Sequence, residues 1–236
     1  MGRRAVRRFD PELDLSRHLI TLDALRPYPF PIDGLFSQAQ PLEIEVGSGK
    51  GLFLVTASGI SPSRNFVGCE VARKYARYAA AQLARRDRAN ALVVHGDAGR
   101  LFAEMLPNDC AAAVHVYFPD PWWKKRHLRR RIMNPHFVAQ IERVLQPLGT
   151  LHFWTDVADY YHSTLEIIAS FTNLEGPFPV AERLAEHELD YQTHFERRMR
   201  LHDQVVWRSE FRKPIRSQDA TTLREAGLGP SRDHFA

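Results

Sequence analysis

Apolar residues in the middle of the chain fall into short runs, separated by stretches in which they recur every three or four positions. The runs are PLEIEV (41–46), NFVGCE (65–70), ALVVHGD (91–97), AAAVHVYF (111–118) and GTLHFWTD (149–156). They are short and often unalternated, as strands covered on both faces are, and they predict five parallel strands. Between them lie stretches with helical spacing that stop near Gly or Pro, such as VARKYARYAAAQLARR (71–86) and NPHFVAQIERVLQPLG (134–149). Asn134 followed by Pro135 makes an N-cap and first-turn pair, and Gly149 a helix end. Repeated strand-then-helix units of this kind predict an α/β, doubly wound sheet.

The flanks are less regular. Residues 21–40 place three prolines within five positions, so an irregular arm leading into the first strand is expected and no regular element fits there. Beyond residue 172, the turn-rich LEGPFPV gives way to a predicted helix (181–190), then to the segment THFERRMRLHD, then to the strand-like QVVWRSEFRK (204–213). Residues 214–236 read as a polar tail. The organisation is thus a basic arm (1–40), one catalytic-sized domain (41–213) and a tail, with no internal repeat.

At 236 residues and 44% apolar content, the chain is long enough to bury a substantial core. No window holds the roughly 18 to 20 consecutive apolar residues of a membrane span. Arg3, Arg4, Arg7 and Arg8 are not followed by an apolar secretory segment, so a soluble, cytoplasmic protein is expected. Cys69 and Cys110 form no CxxC pair, and no His/Cys cluster has metal-ligand spacing; both read as core residues in a reducing compartment, with no metal expected. The net charge of +4 conceals a segregation: KKRHLRRR (124–131) holds six Lys/Arg and residues 1–8 four Arg, which leaves the rest of the chain at −6. A polyanionic partner fits that pattern, although a basic octamer alone is equally compatible with a solvated run or a nuclear-import signal.

Two constellations carry chemistry. The first strand ends in Glu45-Val46-Gly47-Ser48-Gly49-Lys50-Gly51, a glycine-rich turn between strand and helix. The dinucleotide fingerprint fails at Leu52, and a Walker loop fails at Ile44 and Gly51. The turn alone is compatible with an ordinary tight turn. Three acids at strand ends sharpen it: Glu45 beside the glycines, Glu70 closing the second strand in the position that reaches ribose hydroxyls, and Asp97 closing the third. Carboxylates repel a pyrophosphate but suit the ammonium and sulfonium of S-adenosylmethionine, so they favour a methyl donor over a dinucleotide.

The second constellation, Phe118-Pro119-Asp120-Pro121-Trp122-Trp123-Lys124, follows the fourth strand. Two prolines restrict the backbone around one acid, the paired tryptophans offer faces to a base, and the basic run begins at once. The competing explanation is a structural Pro-Trp loop over the core.

FPDPWWKKRHLRRR resembles the signature of the tRNA (guanine-N7-)-methyltransferase family, FPDPW followed by Lys and an RH-(K/R)-RR-type run. The resemblance spans about residues 40–213 and includes EVGSGKG, the GCE strand end, HGDA, the WTD strand end at Asp156 and the TxFE element Thr193-His194-Phe195-Glu196. It implies a Rossmann-like methyltransferase sheet of seven strands, mostly parallel, whose C-terminal region supplies the last two strands including an antiparallel edge. It also implies S-adenosyl-L-methionine as cofactor and tRNA as partner, with a variable-loop guanine as target. By the same resemblance Glu45, Gly47, Gly49, Glu70, Asp97 and Asp120 line the cofactor and catalytic pocket, with Asp120 catalytic. Lys124, Asp156 and Thr193, His194, Phe195 and Glu196 match substrate-contacting positions, and Arg126, His127, Leu128, Arg129, Arg130 and Arg131 an RNA-contacting stretch. Trp123 departs from the pattern, standing where a polar residue is expected. A monomer or homodimer without an accessory subunit is the default. Two rivals remain: a methyltransferase of other specificity, against which the missing Asn/Asp-Pro-Pro-aromatic loop speaks, and a non-catalytic RNA-binding subunit, against which the complete set of acids speaks.

Overall fold

The structure is a computed structural model that describes residues 10, 12–26, 29–30, 32–180 and 205–215. The strands are β1 (Leu19–Thr21), β2 (Leu42–Val46), β3 (Asn65–Glu70), β4 (Ala91–His95), β5 (Ala111–Tyr117), β6 (Leu145–Thr155), β7 (Glu175–Pro179) and β8 (Trp207–Arg212). The helices are α1 (Leu52–Ile60), α2 (Arg73–Ala84), α3 (Ala98–Arg100, continued by a π-helical turn, Leu101–Met105), α4 (Pro135–Val144) and α5 (Ala158–Phe171). The strands form one sheet in the order β1-β4-β3-β2-β5-β6-β8-β7. The five strands expected from the apolar runs are β2 to β6, all parallel, with β2 paired to both β3 and β5. The C-terminal strands follow as expected: β8 runs antiparallel to β6 and to β7, and fills the slot between β6 and the edge strand β7.

Side chains alternate along these strands between two cores. Ile44, Val46, Val114, Val116, Leu151 and Phe153 pack toward Phe102, Phe137, Ile141 and Tyr160 on the α3–α5 side, while Phe66 and Val93 pack toward Phe53, Leu54, Ala79 and Leu83 of α1 and α2. Asn134 caps α4 as expected, its side chain accepting from the Phe137 N–H at 3.0 Å with Pro135 in the first turn. Cys69 is buried and Cys110 half-buried.

Two expectations need correction. The stretch 21–40 is not devoid of regular structure: it contains 3-10 turns at Leu22–Ala24 and Ile32–Leu35, and β1 just before it pairs with β4 as an eighth strand. Leu22, Leu25 and Ile32 are buried there, in an irregular spacing that no helix or strand period detects. The helix from Asn134 ends at Val144 rather than near Gly149, because Pro147 pushes the residue before it out of helical conformation; β6 already pairs Leu145 with Ala111, and an irregularity absorbs the proline and glycine before Thr150. The strands are covered on both faces as expected, and the covered positions include polar ones. On the α1 side, Glu45, His115, His152 and Glu210 occupy one register row across β2, β5, β6 and β8.

His115, His152 and Glu210 of that row join Glu43, two residues before Glu45 on the same face of β2, in a connected polar ladder. His115 is within 2.8 Å of Glu43 through Nε2 and 2.9 Å of the Tyr117 hydroxyl through Nδ1, and it stacks on His152, which approaches Glu210 at 3.2 Å. Burial pushes His115 down to about 4, against the pull of Glu43, so the ring is neutral and its two contacts are hydrogen bonds rather than an ion pair. At the other end of β8, buried Lys213 reaches Asp109 and the Leu145 carbonyl, both at 2.6 Å, which ties the incoming C-terminal strand to the start of β6. The predicted helix 181–190, the Thr193–Glu196 segment, the arginines of residues 1–8 and the tail beyond residue 215 lie outside the described residues.

Candidate active site

Because β2 to β6 run parallel, their carboxyl ends open onto one edge of the sheet, and the strand order reverses between β2 and its neighbours β3 and β5. A ligand in such a sheet lies outside the carboxyl ends at that reversal. Glu45, Glu70 and Asp97 stand at or just beyond the ends of β2, β3 and β4, Asp120 beyond β5, and Asp156 beyond β6. The structure therefore gathers on one edge all five acids expected there.

The β2 side is built around the glycine turn. Gly47 and Gly49 adopt φ of +81° and +53°, and no atom lies close to where their side chains would stand, so this backbone faces open space. Gly51 is different: its φ is +76°, and a Cβ there would come within 2.7 Å of the Ala79 side chain, so α1 starts hard against α2. Glu70 secures the turn. Its Oε2 accepts from the Gly49 N–H at 2.9 Å and its Oε1 from the Ala72 N–H at 2.8 Å. Each carboxylate oxygen has a further lone pair with which it could accept from a hydroxyl, so Glu70 braces the turn without using up its capacity as an acceptor.

Glu45 is buried, and its Oε2 has no hydrogen-bond partner. Burial, reinforced by the nearby charge of Glu70 and opposed by the adjacent Ser48 hydroxyl, pushes its carboxyl up to about 8. An orphaned buried carboxylate is costly unless a cation meets it. The ammonium of S-adenosylmethionine supplies such a cation, so the residues present fit this donor. Asp97 is exposed and caps α3, its Oδ1 accepting from the Arg100 N–H at 2.9 Å while the other oxygen stays available.

The β5 side is a protruding loop. Phe118 and Trp122 both sit in the left-handed region, at φ of +50° and +46°, which is costly for bulky residues and persists only where the surroundings impose it. The Phe118 N–H donates to the Trp154 carbonyl at 2.8 Å. At the far end, Arg131 reaches back ten residues: its Nε donates to the Pro121 carbonyl at 2.8 Å, and its guanidinium lies 4.4 Å over the ring of Tyr160 in α5. The Tyr160 hydroxyl in turn accepts from the Met133 N–H at 3.2 Å. Burial, with a smaller contribution from the negative charge of Asp120, pushes that hydroxyl up to about 12, so it stays protonated. Asp120 itself is solvent-exposed between these braces.

Lys125–Arg130 form a 3-10 helix, in which residues three apart share a face. His127 and Arg130 accordingly flank Trp122, with ring centroids 5.8 Å apart and the guanidinium 5.1 Å from the ring. Arg126 and Arg129 share another face and are exposed, as are Lys124, Lys125 and Leu128. The six residues expected to contact RNA are therefore not equivalent. Arg131 is half-buried and engaged within the fold, a role that nothing in a run of arginines signals, and Tyr160 escapes sequence reasoning because it lies on a helix 40 residues from Asp120.

Among the described residues, no helix is long and apolar enough to cross a membrane, and no group of three or more His, Cys, Asp or Glu is placed to hold a metal ion. A doubly wound sheet with an acid-lined glycine cradle at its strand-order reversal defines a class, the S-adenosylmethionine-dependent methyltransferases. The family model described as "Putative methyltransferase" matches residues 39–209. A tRNA (guanine-N(7)-)-methyltransferase of Rhodopirellula baltica is 48% identical over 219 residues, covering 90% of this chain and 80% of that protein. The protein of the same name from Cupriavidus necator is 36% identical over 189 residues, covering 79% and 72%. Among solved structures, the 16S rRNA methyltransferase KamB matches with a TM-score of 0.56 at 18% identity, over 78% of this chain and 92% of that one, a likeness of fold alone. The chain belongs to the tRNA (guanine-N7-)-methyltransferase family.

Proposed function

We propose that the protein transfers a methyl group from S-adenosylmethionine to N7 of an unpaired guanine in tRNA, in the variable loop, giving 7-methylguanosine. The observation that carries this reading is the meeting of two features on one sheet edge: a cationic-donor cradle with an orphaned carboxylate at Glu45, and an acid, Asp120, held out beside a basic surface. When bound, S-adenosylmethionine supplies an electrophilic methyl group on a sulfonium. Guanine N7 has an in-plane lone pair and no proton, so its attack requires no general base. The chain's task is to align the two groups and to favour positive charge on the guanine. Glu45 takes the donor's ammonium, Glu70 its ribose hydroxyls, and Asp97 adds a further acceptor, while Asp120 orients the guanine and offsets the charge that develops on it. Lys124, Asp156 and the Thr193–Glu196 segment complete the base's surroundings.

The phosphate backbone falls to the exposed cations of the 124–130 run, and the unit of residues 41–213, with β1 attached, acts in the cytoplasm without an accessory subunit, as a monomer or homodimer. The test is to incubate purified protein with unmodified tRNA and methyl-labelled donor and to map the modified base. Label at N7 of a variable-loop guanine is the expected outcome; label on another atom or macromolecule favours a different methyltransferase specificity. Donor affinity undetectable by calorimetry would instead support the non-catalytic RNA-binding reading.

A further inference from the structure

The paired tryptophans of the reaction-centre loop have opposite fates. Trp122 is half-buried, with His127 perpendicular to its ring and Arg130 over it, so it is engaged within the loop. Trp123 is 70% exposed. Its exposure does not come from a slack loop. The backbone before it is held where Arg131 grips the Pro121 carbonyl and Trp122 is fixed at positive φ, and the backbone after it is held where the Lys124 carbonyl accepts from the His127 N–H at 2.7 Å.

An indole so presented leaves a broad apolar face in water, and its surroundings state what would cover it. Lys124, Lys125, Arg126 and Arg129, which follow it in the chain, are all exposed, which disfavours a cationic or a purely apolar partner. A ligand with flat apolar faces strung on a negatively charged backbone matches both features, and that is an unpaired nucleotide. We propose that Trp123 is a stacking platform for an unpaired base of the bound tRNA, acting separately from the cations that grip its phosphates. The inference rests on the reading that this loop receives tRNA.

The experiment measures tRNA binding at several salt concentrations for the full-length wild type, Trp123→Ala and Trp123→Phe, with donor affinity by calorimetry as the check that each variant is folded. Trp123→Ala is expected to weaken tRNA binding by about 5- to 150-fold, the range for loss of one base–aromatic stack. Its log–log salt slope should match the wild type, because stacking releases no counterions. Trp123→Phe should recover most of the affinity while losing part of the tryptophan fluorescence quenching that tRNA produces. Wild-type affinity in the Ala variant would overturn the proposal. So would equal losses in the Ala and Phe variants, or a flattened slope, which would mark a contact other than stacking. A wild type that binds no tRNA at low salt would overturn the underlying reading and this inference with it.

Discussion

The two halves of the site are held together by different means. On the donor side, the glycine turn is fixed by backbone N–H groups, Gly47 and Ser48 donating to the Cys69 carbonyl and Gly49 to the Glu70 carboxylate, within buried strands that pair on both sides. On the acceptor side, the loop 118–131 leaves the sheet and is kept in shape by a few long side chains, above all Arg131 lying between Pro121 and Tyr160. The first arrangement is preorganised by the fold itself. The second depends on individual side chains, and its exposed members remain available to a large, flexible, charged partner. A site that must recognise the same small donor in every turnover suits the former, and one that must accommodate RNA suits the latter.

The largest expected effect lies at the point where the halves meet. Asp120→Asn removes the charge that matters most once the guanine becomes cationic, so turnover should fall on the order of 100-fold or more while tRNA affinity changes by a few-fold. Single-turnover rates alongside equilibrium binding decide it, and a loss confined to binding would move Asp120 from chemistry to docking. On the donor side, Glu70→Ala leaves two backbone N–H groups without their acceptor and removes a ribose partner. A loss of about 1 to 3 kcal/mol in donor binding, roughly 5- to 150-fold, is expected by calorimetry with tRNA affinity unchanged. Parallel losses of both ligands would show that the halves are not independent.

A pH dependence is expected on the donor side. Glu45 titrates near 8 in the folded, donor-free protein but near its ordinary 4.5 when unfolded. Its contribution to stability is therefore full below about pH 4.5 and is lost as pH rises through about 8, because the unfolded chain releases the proton first. With Glu45 taking the donor's ammonium as proposed, the charged carboxylate is the binding form, so affinity should rise roughly fivefold between pH 7 and pH 8, with Glu45→Gln as the reference that removes this rise. Calorimetry and thermal melts across that range, with and without donor, measure both. A wild type that tracks Glu45→Gln would mean that the donor's ammonium lies elsewhere.

Within the acceptor side the comparison sharpens between neighbouring arginines. Arg131→Met should lower turnover by roughly tenfold with little change in the salt slope, and Arg131→Lys should not restore it, since an ammonium cannot hold the Pro121 carbonyl while lying flat on Tyr160. The double variant Arg126→Ala/Arg129→Ala should do the reverse, flattening the log–log slope by up to about two units at nearly normal turnover in low salt. If all three arginines prove interchangeable in the salt series, Arg131 contacts phosphate rather than bracing the loop.

Much of this site is legible in the amino-acid sequence, for reasons specific to its parts. The glycine turn and its flanking acids occupy contiguous positions at strand ends, and runs of buried apolar residues mark those strands however they pack. The reaction-centre motif is likewise contiguous, so its prolines, acid and tryptophans are visible together. Where residues are brought together from afar, a local pattern carries no signal. β1 is three residues long and pairs with β4 about 70 positions away, and the polar ladder of Glu43, His115, His152 and Glu210 exists only because four strands bring those residues side by side.

The sequence by itself determined the α/β class, the glycine turn with its strand-end acids and the position of Asp120 between two prolines, because each is encoded by neighbours along the chain whose local conformations follow from glycine, proline and burial. Only the tertiary structure decided which member of each matched pair does what. Trp122 and Trp123 are chemically identical, as are Arg129 and Arg131, and each pair divides because one member finds something within reach to pack against. The 3-10 turn brings His127 and Arg130 onto Trp122, and α5 places Tyr160 under Arg131, while Trp123 and Arg129 are left facing water. A long side chain's partner is set by what the fold carries to it, and that distance in sequence is invisible to any local pattern.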